Sequence, residues 1–423
     1  MKESDDRLHD AISFEAQGAE MSSVSDVEQS EEAKHPGWLR LADVLNLPIP
    51  GLEDALFFPS FETQTSNIYV MPGTYLTIVD PGNDYTAFME LFPVRAKPEE
   101  VRKIVLTHGH FDHAMGALEF LRTYRDALAG GRPELILHEG GPAQIKETAK
   151  EYGSSVTEVR GGEILELSGI PWEVIYTPGH TIDGISLYHA PTKTVFSGDM
   201  VLQNAVAGPD PKAGGRLDQY LFGLKALLSK DIETVLPGHG PVVSPGGRKV
   251  IEETYESVMM KILGVEKPIP WIQGAMALAQ KGLLEEAVFC CDKEMARSPE
   301  DTKSLELKAV CLNDLGRSRE ALDVLEKLQL LRSADDSFVH VGKGYALLGL
   351  GQYDESIKCF DAALRIRPDL NEALVYKGMA LHLAGKHDEA MEIEPFRTEF
   401  MGRFKEELLR NRKPNPNESE AQS

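Results

Sequence analysis

The stretch Lys103-Ile-Val-Leu-Thr107-His108-Gly-His110-Phe-Asp112-His113 decides how the first half of the chain is read. Its β-branched start predicts a strand over Lys103–Thr107 that runs straight into a cluster of ligand-type side chains. Residues two apart in extended backbone point to the same side, so His108 and His110 can share one metal. Asp112 and His113 follow as the chain turns into a helix near Ala114. They point at a neighbouring spot, where a second metal can sit. Gly109 permits a tight approach of backbone around this point, and Gly116 in the following helix can do the same.

Outward from this stretch, strand ends keep delivering ligand-type residues. Tyr176-Thr-Pro-Gly-His180-Thr follows one strand, Phe196-Ser-Gly-Asp199 a second and Val235-Leu-Pro-Gly-His239-Gly-Pro a third. Strand ends on one edge of a sheet sandwich converge. The total is five histidines and two carboxylates, a set that suits zinc and also iron or manganese. His138 and His189 lie in or near strands outside any such motif and read as packing or surface residues.

From about 50 to 245 short β-branched runs alternate with amphipathic windows at about 84–93, 114–128, 142–152 and 216–229. Hairpins mixed with helices predict an α/β region of two sheets covered by helices. Residues 246–265 read as a further helix. Lys267-Pro-Ile-Pro270 then punctuates the chain, which places a domain boundary between 267 and 268.

Beyond it a repeat begins. Gly282, Gly316, Gly351 and Gly385 recur at spacings of 34, 35 and 34. A small residue follows five positions later (Ala287, Ala321, Ser356, Ala390), and another stands seven positions before (Ala275, Ala309, Gly344, Gly378). Two antiparallel helices cross tightly where small residues face each other, the glycine closes the turn, and Pro299 or Pro368 stops the second helix. The pattern resembles the tetratricopeptide repeat over about 268–393. Its fourth copy breaks at Glu394-Pro395, and a helix at about 396–410 is expected to cap the stack. The positions facing inward include Ile272, Met276, Val341, Tyr345, Val375 and Met379. They predict apolar contact with a peptide, a partner subunit or the first domain, not a clamp for a terminal carboxylate.

The domains are therefore expected at 1–36, an acidic, Ser-rich leader read as disordered; 37–267, the metal-bearing region; 268–410, all-α repeats with a cap; and 411–423, a polar tail read as disordered. Acids outnumber bases 67 to 44 in the 423 residues, and the net charge of −23 disfavours nucleic acid as a partner. No apolar run approaches the roughly 20 residues of a membrane span, and the N-terminus lacks a signal-peptide pattern. The four cysteines (Cys290, Cys291, Cys311, Cys359) form neither a zinc motif nor a disulfide framework, which points to a reducing, cytoplasmic compartment.

Residues 50–245 resemble the metallo-β-lactamase superfamily. The resemblance rests on His-x-His-x-Asp-His at 108–113, the Gly-His-Thr turn at 179–181, Ser197-Gly-Asp199 and Pro237-Gly-His-Gly240, in that order. It implies an αββα sandwich with metals at one edge. It implies that His108, His110 and His180 bind a first metal and Asp112, His113 and His239 a second, with Asp199 bridging. It further implies hydrolysis by hydroxide held between two divalent cations, zinc first, iron or manganese as alternatives. Asp112 would relay the proton to the leaving group.

Departures narrow the branch. Asp199 stands where true β-lactamases usually have cysteine or serine. A full two-metal set argues against the persulfide dioxygenases, and His-x-His in place of His-x-Glu argues against flavodiiron reductases. Glyoxalase II-like thioesterases share the pattern, although Thr181-Ile-Asp183-Gly184 departs from their common turn and repeats replace their helical C-terminal region. Phe111 matches acyl-homoserine lactonases, but Leu202 replaces their tyrosine. The expected activity is hydrolysis of a small thioester or ester acyl substrate, with repeats serving protein interaction or self-association. The alternatives are a metal-dependent phosphodiesterase or ribonuclease, favoured by the Gly-His-Thr-x-Asp turn, and a repeat scaffold with a non-catalytic first domain. Val201–Gly215, after the bridging acid, is expected to be a mobile loop at the mouth, and Phe61–Thr65 a second lining segment.

Overall fold

The structure is a computed structural model that describes residues 37–45, 51–60, 65–92, 95–265, 269–332 and 336–411, with side chains to 402. The expectations for the leader, for 412–423 and for most of Phe61–Thr65 lie outside the described residues.

The first sheet has seven strands in chain order: β1 (Leu39–Arg40), β2 (Leu56–Phe58), β3 (Ile68–Met71), β4 (Leu76–Val79), β5 (Val101–Val105), β6 (Glu134–His138) and β7 (Val156–Val159). A short helix α1 (Leu41–Leu45) follows β1. Strands β1 to β4 pair antiparallel. Strands β4 to β7 pair parallel, because α2 (Thr86–Leu91), α3 (Phe111–Thr123) and α4 (Ala143–Glu151) carry the chain back between them. The second sheet holds β8 (Ile164–Leu167), β9 (Ile170–Tyr176), β10 (Ile185–His189), β11 (Thr194–Gly198) and β12 (Thr234–Pro237), in the order 12-11-10-9-8. Helix α5 (Leu217–Leu228) makes the crossover from β11 to its parallel neighbour β12, and α6 (Gly247–Leu263) follows.

Alternation along the strands builds the layers. Val79, Val105 and Ile136 face Trp172, Leu187 and Phe196 of the second sheet. Their chain neighbours Ile78, Ile104 and Leu135 face the opposite way, onto Phe88, Phe120 and Leu121 of α2 and α3. Ile175, Tyr188 and Val195 turn outward onto α5 and α6. The result is the αββα sandwich. The strand expected at Lys103–Thr107 sits two residues earlier, so Leu106 and Thr107 already belong to the connection that presents His108. Strands β7 and β8 escaped the sequence pattern because each lies at a sheet edge, where half-exposed Thr157 and Ile164 blur the alternation.

Helical hairpins follow: α7 (Trp271–Gln280) with α8 (Leu284–Arg297), α9 (Thr302–Asp314) with α10 (Ser318–Leu331), α11 (Ser337–Gly349) with α12 (Tyr353–Ile366), and α13 (Asn371–Leu383) with α14 (His387–Glu392). The last helix, α15 (Glu394–Asn411), starts at the proline break and covers the fourth hairpin with Phe396, which lies 2.3 Å from where a Cβ on Gly378 would stand. Gly344 has the matching role, its bare Cα set against the Phe360 ring. The inner groove is less uniformly apolar than expected: beside Val341 and Tyr345 it presents Asn313, Arg367 and Glu372.

The first hairpin is joined to the sandwich by a continuous core that runs from Leu224, Tyr255 and Val258 through Ala275, Leu278 and Cys290. Glu286 of α8 is buried there and accepts hydrogen bonds from Lys225 Nζ of α5 at 2.8 Å and Tyr255 OH of α6 at 3.1 Å. No helix among the described residues is long and apolar enough to cross a membrane.

Candidate metal centre

All seven expected ligands meet at one edge of the sandwich. His108 leaves β5, and His110 caps α3 in extended conformation (φ −65°, ψ 150°), so Asp112 and His113 lie in the first helical turn. His180 comes from the β9–β10 turn, Asp199 directly follows β11, and His239 follows β12. The donor atoms group into three overlapping trios, each within 4.8 Å: His108, His110, His180; His108, His113, Asp199; and Asp112, His113, His239.

Around the first point, His110 Nδ1 stands 3.1 Å from His108 Nε2 and 3.0 Å from His180 Nε2. Around the second, His239 Nε2 stands 3.2 Å from His113 Nε2 and 2.9 Å from Asp112 Oδ2. Asp199 lies between: Oδ1 is 3.4 Å from His113 Nε2, and Oδ2 is 3.6 Å from His180 Nε2 and 3.7 Å from His239 Nε2.

The outer ring atoms fix which nitrogens carry protons in the neutral imidazoles. His110 donates from Nε2 to Asp210 Oδ2 at 3.1 Å, and His180 donates from Nδ1 to the Gly208 carbonyl at 2.6 Å. Thr107 donates its hydroxyl to Asp80 Oδ2 at 2.7 Å, which leaves its oxygen to accept from His108 Nδ1 at 3.2 Å. His113 donates from Nδ1 to the same Asp80 oxygen at 2.8 Å. In the neutral tautomers so fixed, the inward nitrogens of His108, His110, His113 and His180 present lone pairs toward shared points. Asp199 Oδ1 is buried with no hydrogen-bond partner. Converging lone pairs and an orphaned carboxylate oxygen fit a divalent cation at each point.

The electrostatics agree. Burial lowers the pKa of His108 far below the usual imidazole range, with His113 adding to it, and burial lowers His180 too, so both stay neutral as ligands must. Burial also opposes charge on His113, but Asp199 and Asp80 outweigh it and push that imidazole well up. Burial would raise Asp112 and Asp199, yet the hydrogen bond from His239 holds Asp112 low and the charge of His113 holds Asp199 far lower. The field at this edge favours added positive charge.

Close packing sets the geometry. A Cβ on Gly109 would stand 2.2 Å from the Pro142 ring, and one on Gly116 2.2 Å from the Pro81 carbonyl, so both glycines do serve close approach. Tyr220 of α5 holds the Asp199–Met200 backbone through its hydroxyl, 3.1 Å from each carbonyl oxygen. Asn67 Nδ2 ties the His239 loop at Pro237 O (2.9 Å) and Gly240 O (2.8 Å).

Four of these supporting residues were not singled out from the sequence: Asp80, Thr107, Asn67 and Asp210. Asp80 had a signal, since it is a carboxylate at a strand end like Asp199. Asp210 had none, because its partner is distant in sequence. It lies in Val201–Gly215, the expected loop at the mouth of the site. The second half is fastened to the site: Asp210 N–H bonds the His180 carbonyl at 2.8 Å, and Ile182 N–H bonds the Ala213 carbonyl at 2.9 Å. His138 and His189 stay outside the cluster, His138 stacked on Tyr176 at 4.6 Å and His189 bonded to Thr192.

Comparison with known proteins agrees with this architecture. Residues 62–239 match the family model described as the metallo-beta-lactamase superfamily, and residues 341–394 match a tetratricopeptide repeat model. Residues 280–363 also match the model described as anaphase-promoting complex, cyclosome, subunit 3. The atrochrysone carboxyl ACP thioesterase of Aspergillus fumigatus is 23% identical over 237 residues, which covers 54% of this chain and 69% of that protein. The hydroxyacylglutathione hydrolase GloC of Haemophilus influenzae is 25% identical over 182 residues, covering 41% of this chain and 83% of that protein. Among solved structures, a metallo-beta-lactamase family protein from Thermus thermophilus aligns at 19% identity with a TM-score of 0.39, over 54% of this chain and 87% of that one. Residues 62–239 are thus a metallo-beta-lactamase superfamily domain, and tetratricopeptide repeats follow on its C-terminal side.

Proposed function

We propose that this chain hydrolyses a small thioester or ester acyl substrate with two divalent cations, zinc first. His108, His110 and His180 would hold one and Asp112, His113 and His239 the other, with Asp199 placed to serve both. The domain that does this spans 37–267, and the repeats over 268–410 serve protein interaction or self-association. The observation that carries the reading is the convergence of imidazole nitrogens, those of His110, His113 and His180 oriented by outer hydrogen bonds, around a buried carboxylate oxygen without a hydrogen-bond partner among the described residues.

The chemistry two such cations supply when bound is Lewis acidity toward a carbonyl oxygen and toward water. The protein's residues do the rest. Asp80, Asp210 and the Gly208 carbonyl orient the imidazoles. Asp112, held ionised and reaching the rim, takes the proton released by the attacking water and returns it to the departing sulfur or oxygen. Phe111, 66% exposed between two ligands, and Ile182 offer apolar surface for an acyl group. The acyl class also draws support from the two relatives whose names specify a thioesterase and a hydroxyacylglutathione hydrolase.

The test is elemental analysis of protein purified without added metal, with thioester, ester and phosphodiester substrates assayed beside His110→Ala. Two metals per chain and acyl hydrolysis that disappears in the variant are expected. Turnover of phosphodiesters alone would replace the substrate class. Protein that takes up no metal on reconstitution would end the catalytic reading.

A further inference from the structure

In a chain of net charge −23, basic groups gathered with few acidic partners call for a reason. Three arginines, Arg122, Arg125 and Arg132, line one cavity at the end of α3 away from the candidate metal ligands, and a fourth, Arg102, lies against Gly131. Arg122 lies in the last turn of α3 and Arg125 just past it, Arg132 leads into β6, and Arg102 lies near the start of β5. Bare glycines seat two of them: Arg102 Nη1 is 2.9 Å from where a Cβ on Gly131 would stand, and Arg132 Nε is 3.0 Å from that position on Gly153. Arg122 pairs with Glu119. Among the described residues, Arg102, Arg125 and Arg132 form no ion pair. Arg132 Nη1 is shut away from solvent with no acceptor, and its Nη2 reaches only the Arg125 carbonyl, at 3.5 Å.

A helix C-terminus attracts cations through its dipole. That accounts for Arg122 or Arg125. It does not account for three guanidiniums around one cavity. Between Arg122, Arg125 and Arg132 lies a cavity of about 630 Å³, walled by Leu121 and Tyr152. Glu151 also borders it, and the three guanidiniums outweigh its single charge. A multiply charged anion relieves the repulsion, and guanidinium forks match phosphate oxygens pairwise. The volume exceeds that of a bare ion, and the Tyr152 ring offers a surface for an organic group.

We propose that this cleft binds a small phosphorylated molecule, a phosphomonoester or diphosphate. Its phosphates sit among Arg122, Arg125 and Arg132, and its organic part lies against Tyr152. Helix α3 has 13 residues. Asp112 and His113 stand eight to ten residues before Leu121 and Arg122 on this helix, so at the rise of an α-helix the cleft lies about 12–15 Å along it from those residues. The cleft is therefore distinct from the hydrolytic centre.

Isothermal titration of the full-length, metal-loaded chain with inorganic phosphate and with ADP tests this. Arg125→Gln, the double variant Arg125→Gln/Arg132→Gln and His180→Ala are titrated alongside. The expected result is binding of ADP at one site per chain, weakened severalfold by Arg125→Gln and at least tenfold by the double variant. It is unchanged in His180→Ala and weaker at high salt. Arg125 is exposed and forms no ion pair, so Arg125→Gln keeps the test decisive if the double variant does not fold. Binding lost in His180→Ala but kept in Arg125→Gln would assign the phosphate to the metal centre and overturn the proposal. So would the absence of binding at millimolar ADP. Capture by vesicles of phosphatidylcholine doped with a phosphoinositide, with no binding of phosphate or ADP, would move the source of the phosphate to a membrane and overturn the small-ligand reading.

Discussion

Glycine has different work in the two halves of this molecule. At the metal edge it is required for space. A Cβ on Gly238 would stand 2.3 Å from Asp199 Oδ1 and 2.5 Å from His113 Cε1. At the turns of the repeats it is required for conformation, whereas Gly344 and Gly378 inside the repeat helices are again required for space. Gly282, Gly316 and Gly385 have φ of 77°, 73° and 80°, and no atom lies within 4 Å of their Cβ positions. The metal edge has no room for an added atom at Gly238 because seven side chains from four strand ends converge there. The repeat turns tolerate the atom and resist only the left-handed backbone. Substitutions should therefore separate the halves by kind of damage as well as by size.

The largest effect is expected from Gly238→Ala. The added methyl displaces Asp199 or His113, so metal content should fall below two per chain and acyl hydrolysis should drop at least about a hundredfold. Two metals retained at full affinity would break the contrast, since the edge would then have slack. Asp80→Ala comes next. It strips His113 and Thr107 of their acceptor without replacing any of the seven candidate ligands. Metal affinity, read by competition with a chromogenic chelator, should weaken roughly 10–100-fold. An unchanged affinity would mean that packing alone orients His113.

Much of this contrast was legible in the sequence, and the gaps have physical causes. The seven candidate ligand positions were legible because each follows a strand whose β-branched run marks it, and metal binding would need a narrow set of residue types. The repeat was legible because one period governs four turns. Edge strands such as β7 and β8 were not, because solvent on one side removes the apolar alternation that announces a strand. Asp210 was not, because nothing local distinguishes a loop aspartate that reaches a histidine 100 positions away. The joint between the halves was also hidden. Glu286 reads as one more helix-surface acid, and only its burial beneath Lys225 and Tyr255 shows that it closes an interface.

That joint gives the third prediction. Glu286→Gln removes the charge from a buried pair whose lysine is half exposed, and should lower stability by about 1–2 kcal/mol. The core is continuous from Tyr255 to Cys290, so the sandwich and the first hairpin should unfold together. Burial pushes the thiols of Cys290 and Cys291 up to about 12, which leaves them unreactive at neutral pH while folded. Their alkylation in rising denaturant should track loss of the metal-bearing fold in wild type and variant alike. Thiols that react in an earlier transition would show that the proposed division at 267–268 separates folding units as well as architectures.

The smallest effect is expected from Gly316→Ala. Alanine in a left-handed turn costs about 1 kcal/mol, and the open space around the position adds no clash. Thermal unfolding should shift down by a few degrees, while metal content and hydrolysis stay at wild-type values. Gly316→Asn should recover part of the loss, because asparagine tolerates the left-handed region better than alanine. That partial rescue identifies backbone conformation as the cause, since asparagine is the larger residue. A variant series in which damage grew with side-chain size would instead place a packing partner at this turn, and the division between space-limited and conformation-limited glycines would fail where it is drawn most sharply.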